Sequence, residues 1–129
     1  MQKILLADDD SSCRQALAGF LNENGYEVVT VADGDSACAE LSENQYDLFI
    51  AEFHIQGKPC SSIVTELKER GIDIRLIIMT GDTSKSTEFG ARRLSPLFFF
   101  VKPINLPDLK AVIDRALEMD SSKQGTQTT

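Results

Sequence analysis

The sequence predicts an α/β domain in which helices cover both faces of a parallel, five-stranded sheet. Five short apolar segments alternate strictly with five segments of helical periodicity, as a parallel sheet with crossover helices requires. The apolar segments are nearly continuous rather than alternating, which is typical of strands buried on both faces. A chain of 129 residues is long enough for one domain with a proper core.

The first half of the chain contains two strand–helix units. KILLA is the first strand, and the segment after it has apolar residues at helical spacing, with Gly25 at its end. We expect Asp10 to be the N-cap of this helix, and Ser12 and Gln15 to be able to form a capping box. YEVVTVA is the second strand, and Asp33–Ser42 forms a short second helix.

The second half of the chain contains three more units. DLFIA is the third strand, and the helix Ser61–Arg70 follows it. IRLIIMT is the fourth strand and the strongest β signal of the chain, and LFFFV is the fifth strand. Between them, Lys85–Leu94 is a weak helix with a thin apolar face. Leu106–Met119 is a clear last helix, with Pro107 in its first turn.

Composition narrows the class of protein. We expect a domain at residues 1–119 and a disordered polar tail or linker at 120–129, where no residue is apolar. The net charge of −7 would repel a phosphate backbone and disfavours direct nucleic-acid binding. Without a membrane-spanning run or a signal peptide, a cytoplasmic location is expected. The cysteines lack metal or redox spacing and are expected to be reduced packing residues: Cys13, Cys38 and Cys60.

Polar residues follow the predicted strands at their carboxyl ends. The first strand ends at Asp8 and Asp9, the third at Glu52, the fourth at Thr80 and the fifth at Lys102. Because the carboxyl ends of parallel strands lie on one edge of the sheet, we expect these side chains to converge. Carboxylates held close together repel one another, and either Mg²⁺ or the ammonium of Lys102 would relieve that repulsion.

Five segments of the chain resemble the signature segments of the receiver domains of two-component response regulators: ILLADDD, ADGDSA, DLFIAE, IIMTG and FFFVKPI. The likeness covers residues 3 to about 118. It implies a flavodoxin-like (CheY-like), doubly wound sheet of strand order 2-1-3-4-5 with five helices. It also implies a non-enzymatic signalling role, in which an aspartate that ends the third strand takes a phosphoryl group from a sensor histidine kinase.

The resemblance implies a Mg²⁺ site at the acidic end of the sheet. Asp8 and Asp9 match the acidic pair, and Asp9 would touch the metal directly. Glu52 stands at the phosphoacceptor position, and the backbone carbonyl of His54 would be a further ligand.

The resemblance also assigns the switch residues. Thr80 would be the hydroxyl that follows the phosphoryl oxygens, and Phe99 would be the switch aromatic. Lys102 would pair with the acceptor, and its bond to Pro103 would be cis.

The sequence departs from the family pattern at several positions. Glu52 stands where the family has aspartate, and Gln56, Cys60 and Ser95–Pro96 replace a proline, a glycine and a small Gly-Ala pair. One extra methylene displaces a carboxylate by roughly 1 Å, and such a misplacement can cost about a hundredfold in rate. We therefore expect that Glu52 is not phosphorylated and that it can pair with Lys102 instead.

The predicted function is that of a degenerate receiver that acts through protein contacts, at the face formed by the fourth helix, fifth strand and fifth helix. Glu52 either imitates the charge of a phosphorylated state or leaves the domain an inert scaffold. The alternative is a working Mg²⁺-dependent phosphoacceptor. A flavin carrier is disfavoured, because the acidic turn at Asp8–Asp10 would repel a phosphate. A small hydrolase is disfavoured, because Asp10, its expected general acid, lies beside a helix cap. We expect most of Leu97–Val101 to pack in the core.

Overall fold

Five strands alternate with five helices in the computed structural model, which describes the backbone of residues 1–128 and the side chains of residues 1–118. The tail predicted at 120–129 lies outside the residues whose side chains are described, and the domain boundary stays a prediction. The elements are β1 (Lys3–Ala7), α1 (Ser11–Glu23), β2 (Glu27–Val31), α2 (Gly34–Glu43), β3 (Leu48–Glu52), α3 (Cys60–Glu69), β4 (Leu76–Thr80), α4 (Lys85–Arg92), β5 (Phe98–Val101) and α5 (Leu106–Thr128).

All strand pairs are parallel, and the sheet order is β2-β1-β3-β4-β5. The predicted fold class and strand order are therefore confirmed. Every residue of β3 and β4 is buried, including the polar residues Glu52 and Thr80 at their ends. These two strands lie between neighbours in the sheet and between helices on both faces, as their continuous apolar sequence predicted.

The sheet divides the core into two clusters. Leu5, Phe49 and Ile78 face α2, α3 and α4, and Leu6 and Ile50 face α1 and α5. This alternation follows from the two-residue period of a strand. Each fully buried side chain of this size contributes about 1.5–3 kcal/mol, so both layers hold the carboxyl ends of β1 and β3 in fixed positions.

The turn between β1 and α1 is set by Asp10. Its carboxylate accepts from the backbone N–H groups of Ser12 at 3.0 Å and Cys13 at 3.2 Å, which confirms the predicted N-cap. The capping box expected from Ser12 and Gln15 is wrong, because the helix begins at Ser11 and Asp10 already satisfies these donors.

The loop between β3 and α3 is bound to the start of α2. The N–H of Gly34 donates to the carbonyl of Gln56 at 2.8 Å. A Cβ at Gly34 would lie 1.8 Å from the carbonyl oxygen of Lys58, so only glycine allows this approach. Gly57 adopts a φ of 78° and turns the chain toward α3 without the proline that the family carries.

The outer strand β5 is more exposed than the sequence predicted. Leu97 is 49% exposed, and Phe98 and Val101 are each 45% exposed, whereas Phe100 is buried. Core packing was therefore the wrong expectation for three residues of the run. The reason is that β5 is an edge strand beside α4, a helix of only eight residues. Among the described residues, no helix is long and apolar enough to cross a bilayer.

Candidate functional site

Three of the predicted site residues meet at the carboxyl edge of the sheet. The Nζ atom of Lys102 lies 3.0 Å from Oδ2 of Asp8 and 2.9 Å from Oε1 of Glu52. The side chain of Asp8 is fully buried, and those of Glu52 and Lys102 are 9% and 19% exposed. The ion pair expected between Glu52 and Lys102 is present, and so is the cis bond between Lys102 and Pro103.

Lys102 is a charged cation shared by two buried carboxylates. Burial alone would lower the pKa of Lys102, but the hydrogen bonds to Glu52 and Asp8 outweigh burial and raise that pKa above its ordinary value. Charges at such a depth persist only when they are paired and hydrogen-bonded. The ammonium group is therefore the counter-charge of this acidic edge.

Both carboxylate oxygens of Glu52 have a partner. Oε1 binds Lys102, and Oε2 accepts from the backbone N–H of His54 at 3.1 Å. The thiol of Cys60 lies below and donates to the backbone carbonyl of Glu52 at 3.3 Å. Burial, and secondarily the charge of Glu52, raises the pKa of Cys60 to about 12. Cys60 is therefore a protonated packing residue here, as the cysteine spacing predicted.

Asp8 is held by the first turn of α1. Its Oδ1 accepts from the N–H of Asp10 at 3.0 Å, and Arg14 donates through Nη1 to the Asp8 backbone carbonyl at 2.6 Å. Burial, followed by a hydrogen bond to Asp8, raises the pKa of Cys13 to about 12. Because Oδ2 is bound to Lys102, both carboxylate oxygens of Asp8 have a hydrogen-bond partner within the protein.

Asp9 does not join this cluster. Its side chain is exposed, and no three histidine, cysteine or acidic side chains among the described residues are arranged to hold a metal ion. Lys102 already binds both Asp8 and Glu52. A cation bound at this edge would have to share Asp8 and Glu52 with the ammonium of Lys102. The metal role of Asp8, Asp9, Glu52 and the His54 carbonyl stays a prediction.

Thr80 lies at the end of β4, and its side chain is turned toward the next loop. Its hydroxyl oxygen accepts from the N–H of Asp82 at 3.1 Å, and its backbone carbonyl accepts from the N–H of Lys102 at 2.8 Å. Within the part of the chain whose side chains are described, no hydrogen bond joins Thr80 to Glu52. Phe99 is half-buried and packs against the core cluster that faces α2, α3 and α4.

The imidazole of His54 forms a link across the edge that sequence reasoning missed. Its Nε2 lies 2.9 Å from Oδ2 of Asp82 and 2.9 Å from Oγ1 of Thr87, and Thr87 donates to the same carboxylate at 2.6 Å. Hydrogen bonds from Thr87, and then from Ser84, lower the pKa of Asp82. The loops after β3 and β4 are thereby joined to α4. The only signal for this link was that both loops follow adjacent strands.

Comparisons with known proteins agree with this architecture. The family model described as response regulator receiver domain matches residues 4–114. The transcriptional regulatory protein CiaR of Streptococcus pneumoniae is 30% identical over 118 residues, which are 92% of this chain and 52% of CiaR. Sporulation initiation phosphotransferase F of Bacillus subtilis is 26% identical over 121 residues, which are 94% of this chain and 98% of that protein.

Solved structures agree on the fold. The receiver domain of the Francisella response regulator 1452 superposes with a TM-score of 0.84 at 21% identity, over 93% of this chain and 99% of that chain. The present chain spans between 24% and 52% of the length of three regulatory proteins that it matches.

Proposed function

Because the chain belongs to the family of response regulator receiver domains, we propose that it is a degenerate receiver. In this proposal Glu52 takes no phosphoryl group, and the domain acts on a sensor histidine kinase or a downstream signalling protein through protein contacts. It is a signalling module rather than an enzyme. The contact face is formed by α4, β5 and α5.

The observation that carries the proposal is the saturation of Glu52. A carboxylate that attacks phosphorus needs one oxygen free and in line with the leaving group. Here Oε1 is bound to Lys102 and Oε2 to the N–H of His54. A contact with Lys102 is also what the resemblance implies for a working acceptor, so the proposal rests on Oε2, which is bound by the N–H of His54, and on the displacement of the carboxylate by the extra methylene.

The charges of the site support the same interpretation. Phosphoryl transfer depends on cations that neutralise the developing negative charge. Lys102 is the cation of this edge, and it already serves two carboxylates. An incoming phosphate would therefore meet Asp8, Glu52 and Asp9, while Lys102 and Arg14 are both already bound to oxygen atoms of the protein.

Of the two forms of degeneracy, the hydrogen bond of Thr80 favours a fixed scaffold. A carboxylate that imitated a phosphoryl group would engage the switch hydroxyl, because that hydroxyl follows the phosphoryl oxygens in this family. Thr80 instead accepts from the N–H of Asp82. A single carboxylate also has less charge and fewer oxygens than a phosphate group.

A working phosphoacceptor is the second candidate. One observation favours it: Glu52 lies at the predicted acceptor position, with Asp8 and Lys102 within one network. The Bacillus subtilis relative, named a phosphotransferase, matches over nearly its whole length. In this case Lys102 would have to release Glu52 before transfer.

Intact-mass spectrometry after incubation with acetyl phosphate and Mg²⁺ separates the two candidates. We expect the native chain to stay unmodified and Glu52→Asp to gain the mass of one phosphoryl group, because the shorter side chain leaves room at the acceptor position. Glu52→Gln is the matched control for modification elsewhere. A phosphorylated native chain, with Glu52→Gln unmodified, would refute degeneracy. If neither the native chain nor Glu52→Asp is modified, the rerouted loop at Gln56 and Cys60 also contributes to the loss.

A further inference from the structure

The imidazole of His54, the carboxylate of Asp82 and the hydroxyl of Thr87 form a triangle of donor atoms. Nε2 of His54 lies 2.9 Å from Oδ2 of Asp82 and 2.9 Å from Oγ1 of Thr87, and the two oxygens are 2.6 Å apart. The three residues belong to the loop after β3, the loop after β4, and α4. The ion pairs of Lys102 are made with other carboxylates, so the triangle is a separate cluster.

The triangle contains too few protons for three good hydrogen bonds. Thr87 donates its one hydroxyl proton to Asp82, so the oxygen of Thr87 faces Nε2 with a lone pair. Nε2 of His54 carries at most one proton. That proton has to be shared between two acceptors, and without it three lone pairs would face one another across two protons fewer than they need. A cation bound to all three atoms would satisfy them together.

The separations match neighbouring ligand positions on an octahedral metal ion. Metal–ligand bonds of about 2.0–2.1 Å place neighbouring octahedral ligands about 2.8–3.0 Å apart, and tetrahedral ligands about 3.3–3.4 Å apart. Both separations from Nε2 of His54 are 2.9 Å, and the oxygens of Asp82 and Thr87 would need to separate only slightly. The three donors would then occupy one face of the octahedron and leave the opposite face to water.

The two stronger ligands are accessible and held in orientation. The side chains of His54 and Asp82 are 53% and 41% exposed, so an ion and its water molecules can reach them. The N–H of Ser84 donates to Oδ1 of Asp82 at 2.9 Å, which leaves Oδ2 directed at the triangle. The ring of Phe53 packs edge-on against the His54 ring, with centroids 5.1 Å apart. Supporting contacts of this kind orient the ligands of metal sites.

We propose that His54, Asp82 and Thr87 form a binding site for a first-row transition-metal ion such as Zn²⁺ or Ni²⁺. An imidazole nitrogen beside a carboxylate favours these ions over Mg²⁺, which takes oxygen ligands. The site has two side chains of the usual metal-binding types rather than three, and a hydroxyl completes the face, so the ion binds reversibly. A bound ion ties the loops after β3 and β4 to α4. The site goes beyond the proposed function and does not depend on whether Glu52 accepts a phosphoryl group.

The test adds Ni²⁺ to the full chain without a histidine tag. His54 is the only histidine of the sequence, so its ring protons are identified in an NMR spectrum without further assignment. Six-coordinate Ni²⁺ is paramagnetic, and we expect it to broaden the ring resonances of His54 at well below one equivalent. Isothermal titration calorimetry then measures the affinity of the native chain.

Three variants remove one donor each: His54→Ala, Asp82→Asn and Thr87→Val. We expect each to weaken the binding of Ni²⁺, and the first two to raise the Kd about tenfold or more, since even the loss of a supporting residue costs about 10–100-fold in metal affinity. The matched control is Asp73→Asn, which removes an exposed carboxylate before β4, at the opposite edge of the sheet, and should bind as the native chain does. Circular dichroism checks that each variant is folded.

Several results would overturn the proposal. One is that the ring resonances of His54 in the native chain stay sharp, which needs no variant to interpret. Others are native-like affinity in any of the three donor variants, or an equal loss of affinity in Asp73→Asn. An excess of Mg²⁺ should leave the bound Ni²⁺ in place, because an imidazole is a poor ligand for Mg²⁺. Displacement by Mg²⁺ would instead assign the ion to the acidic edge at Asp8 and Glu52.

Discussion

Replacing Lys102 by methionine should strongly destabilise the protein at neutral pH. The change keeps the length of the side chain but leaves Asp8 and Glu52 buried without their shared cation. Removing one partner of a buried ion pair costs about 3–5 kcal/mol. The folded variant can avoid part of this cost if one carboxyl group takes up a proton. Taking up that proton costs about 1.4 kcal/mol for each unit by which the pH exceeds an unfolded-state pKa near 4. That route costs about 4 kcal/mol at pH 7 and about 1.4 kcal/mol at pH 5.

Urea unfolding at the two pH values measures this effect. We expect Lys102→Met to lower the free energy of unfolding by about 3–4 kcal/mol at pH 7 and by about 1–2 kcal/mol at pH 5. The sign follows from proton binding: the folded variant holds a proton that its unfolded chain releases, so the variant gains stability as the pH falls. Lys110→Met is the matched control. It removes a half-exposed pair with Asp114 and should cost about 0.3–0.5 kcal/mol.

A loss below about 1 kcal/mol in Lys102→Met at pH 7 would refute this reasoning, since apolar replacement of one partner would then be tolerated. A large loss that is the same at pH 5 and pH 7 would show that the cost is one of packing rather than of charge.

Three further outcomes follow from particular contacts. Gly34→Ala should lower the free energy of unfolding by about 3 kcal/mol, because the added Cβ would lie 1.8 Å from the Lys58 carbonyl oxygen. Gly19 has open space around it, so Gly19→Ala should instead raise the free energy of unfolding by about 0.5–1 kcal/mol. Equal effects of the two substitutions in urea titrations would contradict this. Burial alone would raise the pKa of Asp114, but hydrogen bonds from two neighbours outweigh burial and lower that pKa. The stability that Asp114 contributes is therefore present above its ordinary pKa of 3.8 and is lost as the pH falls below that value. Acid unfolding of Asp114→Asn should show a flatter pH dependence below pH 5, and curves parallel to those of the native chain would refute this. The pKa of Cys60 is raised to about 12, so its thiol should react with iodoacetamide at pH 8 about a thousandfold more slowly in the native chain than in the urea-unfolded chain. Peptide mass mapping can measure both rates. Similar rates would show that the site opens readily.

The order and type of the elements, and the edge of the sheet at which the site lies, could be predicted from the sequence. Periodicities of two and about 3.6 residues, and the Asp10 cap of α1, depend on near neighbours in the chain, so they can be predicted without the fold. The convergence of Asp8, Glu52 and Lys102 could also be predicted, because strand ends share an edge in every parallel sheet. The resemblance to receiver domains then marked Glu52 as the residue out of place.

Which atoms come into contact could be learned only from the folded chain. Lys102 and Asp8 are separated by 94 residues, and His54 and Thr87 by 33. A hydrogen bond between them depends on tenths of an ångström, which are set by the packing of both core layers and by no local pattern. The same holds for the exposure of β5. An edge strand and an interior strand can have the same apolar sequence, and only their neighbours in the folded molecule distinguish them.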